Sequence, residues 1–430
     1  MKYCSTRDLG SAATFAEAVA SGLAPDGGLY IPREFPKINL RDFQPGSTLA
    51  EIGTVLLAPF VETSFSRQEL SALCQAAFDF PTPLVPLSAE ISLLELFHGP
   101  TAAFKDVGAR FLAQCVPHLG KARGPRATVL VATSGDTGGA VAAAFFGQDN
   151  LDVFVLYPEG KISARQEQQI ACWGGNIKAL AVRGDFDDCQ RMVKAALHAG
   201  NQNSSPTGPN RKYLAANSIS LGRLLPQMLY YVQSSLDYQA QTGRIPGFVI
   251  PSGNLGNAVA ALWAKRLGFP IGKIVLATNA NAAITNFFQT GVWQPLPTVA
   301  TLANAMDVGA PSNVERLFAL YPDFQELRQD VQAILTSDTE IQLTIAKGLE
   351  RYRQIWCPHT ATAVAALDKL PQGPWIVVAT AHPAKFETVV EPLLKARVPI
   401  PESLQKLLQK EPVKTVIGPS LEELQQQLNF

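Results

Sequence analysis

The chain has little of what several functional classes require. Its 430 residues set 36 Lys plus Arg against 36 Asp plus Glu, a formal charge of zero, so it carries no basic field of the kind nucleic-acid binding needs. No apolar run approaches the roughly 18 residues of a membrane span. The opening M-K-Y-C-S-T-R is not followed by the apolar core of a signal peptide, so a cytoplasmic location without a membrane partner is expected. Six cysteines, at 4, 74, 115, 172, 189 and 357, form no C-x-x-C pair, and the five histidines are scattered. Reduced thiols are therefore expected rather than disulfides, and no metal site. No internal repeat is evident.

What is present begins with H-G-P-T-A-A-F-K-D, residues 98 to 106, where Lys105 follows apolar side chains. A lysine held away from water loses basicity, because desolvation penalises its charged form, and a neutral amine attacks carbonyls. Lys105 is thus a candidate to carry a Schiff base. Taken alone, these nine residues are better met by an amphipathic lysine whose head reaches solvent, since buried lysines are rare.

Two glycine-rich loops follow. A-T-V-L-V-A-T leads into S-G-D-T-G-G (134 to 139) and then A-V-A-A-A-F-F-G; G-F-V-I-P leads into S-G-N-L-G-N (252 to 257) and then A-V-A-A-L-W-A-K-R. A strand, loop and helix unit of this kind aims backbone N–H groups and a positive helix end at one point, which suits an anion. Both loops are anion-site candidates, although glycines after strands also serve simply to make tight turns. Neither is a P-loop, lacking G-K-[ST], and neither has G-x-G-x-x-G spacing. A reactive lysine with two anion cradles points to a small phosphorylated aldehyde cofactor and a second anion on the substrate. Pyridoxal 5'-phosphate (PLP) fits that description.

At this point the chain resembles the threonine synthase family of fold type II PLP enzymes. The resemblance is carried by L-E-L-F-H-G-P-T-A-A-F-K-D, A-T-S-G-D-T-G-G-A, L-Y-P-E-G-K-I-S, A-N-S-I-S, P-S-G-N-L-G-N, N-A-M-D-V-G and A-T-A-H-P-A-K-F, in family order from residue 93 to 386. The segment P-D-G-G-L-Y-I-P (25 to 32) is similar to the family's opening. The resemblance implies conversion of O-phospho-L-homoserine and water to L-threonine and phosphate, by PLP-dependent elimination and then addition of water at the β carbon. A phospho-lyase releasing a 2-oxo acid, and an inactive PLP-binding family member, stand as alternatives. The implied partner is the small substrate alone, in a monomer or homodimer.

Residue by residue, the resemblance makes Lys105 the cofactor lysine and the catalytic acid and base. It places Gly253, Asn254, Leu255 and Asn257 around the cofactor phosphate, Thr380 at the pyridine nitrogen and Asp136 beside the cofactor ring. Ser134, Gly135 and Thr137 fall near the substrate carboxylate. Lys161, Ser163 and Arg165 are expected at the leaving phosphate, supported by Asn217, Ser218 and Arg223. Where many relatives have G-N-F-G-D, this chain has G-N-L-G-N, which puts Leu255 and Asn257 in place of an aromatic residue and an acid. His98, His359 and His382 are expected to be turn-bracing or satisfied core histidines.

A chain this long exceeds one ordinary core. Helical stretches near S-A-A-T-F-A-E-A-V-A and S-R-Q-E-L-S-A-L-C-Q-A-A-F suggest an N-terminal cap over residues 1 to 80. Beyond it, T-V-L-V-A, V-F-V-L-Y, G-F-V-I-P, K-I-V-L-A and W-I-V-V-A-T read as strands alternating with helices. This predicts an α/β fold of two open, twisted, mainly parallel sheets with flanking helices. The resemblance implies a smaller domain, residues 111 to 200, inserted into a large PLP-binding domain formed by 81 to 110 and 201 to 430. N-Q-N-S-S-P-T-G-P-N (201 to 210) reads as a surface connection, and the tail after residue 400 as short amphipathic helices.

Overall fold

A computed structural model describes residues 1 to 119, 127 to 202 and 213 to 428. Most of the polar connection expected over 201 to 210 lies outside them. The N-terminal region holds a two-stranded antiparallel ribbon, Tyr3–Ser5 with Tyr30–Pro32, and helices Phe15–Ser21, Leu49–Leu56 and Arg67–Ala77. Each of these helices starts on a capping box: Thr14 with Glu17, Thr48 with Glu51, Ser66 with Glu69. The reciprocal bonds satisfy helix N–H groups that would otherwise lack partners, which is why the chain turns helical at those points. The region has no separate core. Tyr3, Phe15 and Phe60 belong to the same buried cluster as Phe111, Tyr230 and Trp263 of the body.

The body contains two open sheets. Six strands run in the order Val331–Leu335, Ile274–Thr278, Gly247–Pro251, Trp375–Ala379, Ile91–Glu95, Leu84–Pro86, all parallel except the last pair. Five parallel strands run in the order Lys414–Ile417, Ile177–Val182, Leu151–Pro158, Ala127–Ala132, Tyr213–Ala215. Helices cover the sheets, so central strands are buried on both faces and read as continuous apolar runs; all eight residues of Leu151–Pro158 are buried.

The five strand runs read from the sequence are strands here. The five-stranded sheet, however, draws on more than residues 111 to 200. Its edges are Tyr213–Ala215 and, from the far C-terminus, Lys414–Ile417, which pairs with Ile177–Val182. Short, partly exposed edge strands lack the long apolar run that makes a central strand legible. The tail helices Glu402–Leu408 and Leu421–Leu428 pack on helices Ala164–Ala171 and Phe186–Gln202 of the same chain.

Both sheets deliver their chemistry at one end. Lys105, Ser134, Asn217, Ser252 and Thr380 all follow the carboxyl ends of parallel strands, where open α/β sheets leave a crevice.

Candidate active site

Lys105 is the first residue of helix Lys105–Cys115. The loop before it is stitched to the end of strand Trp375–Ala379 by Phe104 N–H to Thr380 O (2.8 Å) and His382 N–H to Ala102 O (3.0 Å). Asp106, the acid after the lysine, does not face the site. Its carboxylate accepts from the Thr101 N–H (2.9 Å) and hydroxyl (2.6 Å), closing the turn, and a Cβ on Gly99 would lie 2.5 Å from it. Burial, the largest cause, lowers the Lys105 amine to about 8; Arg223 and Lys385 push the same way and Asp136 opposes them.

A cavity opens in front of Lys105, lined by Ser134, Asp136 and Thr137, by Asn217, Ser218 and Arg223, by 251 to 257, and by His359 and Thr380. Expected site residues from both sheets thus converge. Gly135 stands just behind the lining, at φ 140°, and a Cβ there would meet Gln166 Nε2 at 2.4 Å, so the position requires glycine.

The loop 252 to 257 is the open cradle. Leu255, at φ 61°, turns the chain into helix Gly256–Arg266. Among the described residues, none offers an acceptor to the N–H groups of Gly253, Asn254, Leu255 and Gly256. Asn257 Oδ1 accepts from the hydroxyls of Tyr230 (2.7 Å) and Tyr231 (2.6 Å), which leaves its buried Nδ2 without a partner. Asn254 locks the loop by donating to Ser218 Oγ (2.6 Å), while its carbonyl accepts from Asn313 Nδ2 (2.9 Å). Arg316, fully buried, holds Asn313 Oδ1 (2.7 Å), Tyr30 O (3.0 Å) and Ile219 O (2.8 Å). One cation thereby ties the N-terminal region to the cradle.

The other loop is already filled. Asp136 begins helix Asp136–Phe145 and accepts from Lys385 Nζ (2.9 Å) and Gln166 Nε2 (3.0 Å). Burial opposes its charge, yet Lys385 and then Lys105 hold its carboxyl far below the usual carboxylate range. Thr133 Oγ1 takes the N–H groups of Gly135 (2.9 Å) and Gly138 (3.0 Å). This loop presents its own anion rather than binding one.

Lys161, Ser163 and Arg165 do not join the cavity. Lys161 is exposed. Ser163 caps helix Ala164–Ala171 in a box with Gln166 and donates to Lys385 O (2.9 Å). Arg165 donates to Ala384 O and pairs with Glu387 at 3.4 Å. Ser163 and Arg165 dock one sheet's helices on the other's, and S-A-R-Q, with its capping-box spacing, carried that signal. Sequence reasoning missed Lys385, fully buried and also donating to Thr101 O at 2.8 Å, though A-K-F repeats the apolar setting that marked Lys105. Arg223 is buried, donates to Ala216 O (2.7 Å), and has no partner for Nε; burial lowers it to about 10.

Three buried side-chain atoms of the cavity lining lack a protein partner among the described residues: Arg223 Nε, Asn257 Nδ2 and His359 Nδ1. All are nitrogens that can donate. A cavity with open donors, an open helix N-terminus and a lysine of lowered basicity fits an anionic aldehyde cofactor with an anionic substrate. This fold and site define a PLP-dependent enzyme, and residues 77 to 381 match the family described as pyridoxal-phosphate dependent enzyme.

The flanking regions narrow the class. Residues 2 to 78 match the threonine synthase N terminus and 360 to 428 the threonine synthase C-terminal family. The chain is 40% identical to a threonine synthase of Haemophilus influenzae over 396 residues, covering 91% of each chain. It is 38% identical to one of Serratia marcescens over 408 residues, covering 94% of this chain and 93% of that protein. Crystal structures of threonine synthase from Escherichia coli (TM-score 0.90, 34% identity, 100% and 99% covered) and of the PLP-bound enzyme from Brucella melitensis (0.89, 33%, 100% and 98%) share its fold. The chain belongs to the threonine synthase family.

Proposed function

We propose that this chain converts O-phospho-L-homoserine and water to L-threonine and inorganic phosphate with PLP bound between its two sheets. The observation that carries the reading is the cavity itself, in which Lys105 meets buried lining donors that have no acceptor of their own. When bound, the cofactor supplies an electron sink that makes first the α and then the β carbon of the amino acid acidic. The Lys105 amine would hold the cofactor aldehyde and, when free, would take and return protons at the substrate carbons. An amine lowered to about 8 exchanges protons near neutral pH far better than an ordinary lysine.

The other roles follow from position. Gly253, Asn254, Leu255 and Asn257 hold the cofactor phosphate by backbone N–H groups and the Asn257 amide. Thr380, at the end of its strand, would meet the cofactor's pyridine nitrogen. Asp136, kept ionised by Lys385, faces the same cavity. Ser134 and Thr137, with Asn217 and Ser218, surround the substrate carboxylate. Arg223 is the buried cation of the lining that we assign to the substrate's second anion, because its Nε has no protein partner among the described residues.

Product analysis tests the function. Purified holoprotein given O-phospho-L-homoserine should release threonine and phosphate in equal amounts, and Lys105→Ala should abolish both. Release of 2-oxobutanoate in place of threonine would overturn the reading in favour of a phospho-lyase.

A further inference from the structure

We propose that His359 is a ligand-holding residue of this cavity, its Nδ1–H donating to an anionic oxygen of the bound cofactor or of the amino-acid substrate. His359 lies in the first turn of helix Pro358–Leu367, 3% exposed, with its ring 4.8 Å from that of Phe386. Its Nε2 accepts the Ala305 N–H at 3.1 Å. A nitrogen that accepts carries no proton, so in the neutral ring the proton sits on Nδ1. His359 lines the cavity, and its buried Nδ1 has no protein partner among the described residues. An unmet buried donor is costly, so the arrangement is favourable only when a ligand supplies the acceptor.

The neighbourhood fixes the sign of that acceptor. The charges that bear on the His359 ring are those of Lys105 and Lys385 against the carboxylate of Asp136. The balance is positive and favours an oxygen bearing negative charge. Burial lowers the ring to about 4, so it remains a neutral donor over the working range. His382 shows the ordinary alternative. Its Nδ1 accepts from Ala384 N–H at 3.2 Å within a turn, and its ring lies 5.4 Å from that of Phe97, outside the lining.

The inference rests on cofactor and substrate occupying this cavity, and two substitutions separate it from a structural role. His359→Asn keeps a donor near the Nδ1 position but loses the acceptor for Ala305. His359→Gln keeps an acceptor near the Nε2 position but loses the donor. Each apoprotein would be titrated with PLP by fluorescence without substrate, and each holoprotein assayed for KM and kcat. His359→Gln should lose roughly ten- to hundredfold, the value of a hydrogen bond to a charged group, and His359→Asn should stay within about threefold of wild type. Loss in the PLP titration assigns the oxygen to the cofactor; loss in KM alone assigns it to the substrate. A wild-type-like His359→Gln, or equal losses in both variants with lowered melting temperatures, would overturn the proposal. Wild-type protein that takes up no PLP would instead overturn the reading of the cavity.

Discussion

In the loop 134 to 139 the helix N-terminus already holds a carboxylate, Asp136, whereas in the loop 252 to 257 it holds only a leucine, a glycine and an amide. The two share a strand, glycine-rich turn and helix, and both face one cavity. Thr133 and Lys385 complete the first loop from within the protein. The second keeps its N–H groups and the Asn257 amide open. Glycines therefore mark where backbone can come close to a ligand, while the charge offered there depends on the first helical side chain and its distant partner.

The largest effect should come from breaking the first loop's internal ion pair. Lys385→Met leaves Asp136 buried without its cation, and apoprotein stability measured by urea unfolding should fall by about 3–5 kcal/mol. Adding Asp136→Asn should restore part of that loss. Wild-type stability in the single variant would break the contrast between the loops.

Two arginines sharpen it next. Arg223→Met should lower kcat/KM about ten- to hundredfold, corresponding to ~1.5–3 kcal/mol for a lost charge-assisted bond. Arg165→Ala removes a docking contact instead, so kcat/KM should stay within about threefold of wild type while the melting temperature falls. The reverse ranking would return the substrate phosphate to the Lys161 to Arg165 segment.

A pH titration probes the lysine between the loops. The amine is lowered to about 8 from an ordinary 10.5, so covalent uptake of PLP by apoprotein should rise with pH up to about 8 and level off above it. Between those values the unfolded chain binds more protons at this site than the folded one, so apoprotein stability from Lys105 should rise with pH across the window. Uptake that keeps climbing beyond pH 10 would mean an ordinary, solvated lysine. A smaller effect than that of Arg223→Met is expected for Asn257→Asp. Its oxygen still accepts from Tyr230 and Tyr231, and only the Nδ2 donor is replaced by charge. PLP affinity by fluorescence titration should drop no more than about tenfold.

Legibility in the sequence followed how local the cause was. Capping boxes at Thr14, Thr48 and Ser66 sit within four residues of chain, and the central strands are continuous apolar runs. The edge strand Lys414–Ile417 is mostly exposed and is defined by its pairing with Ile177–Val182, so nothing local announces it. Arg165, as a cation in a family motif, is expected from the sequence at the leaving phosphate. Its guanidinium is instead directed at Ala384 and Glu387, a meeting that only the packing of the two sheets creates.

By itself the sequence singled out Lys105, the order of strand, loop and helix units, and the family, because each is written in contiguous residues. The tertiary structure decided that Asp136 pairs with Lys385, that the Asn257 amide nitrogen is left without a protein partner among the described residues, and that His359 spends Nε2 on Ala305 and leaves Nδ1 unpartnered. Charge state and hydrogen-bond satisfaction depend on burial and on partners far away in the chain, such as Lys385 for Asp136 and Ala305 for His359, and neither periodicity nor motif spacing encodes those distances.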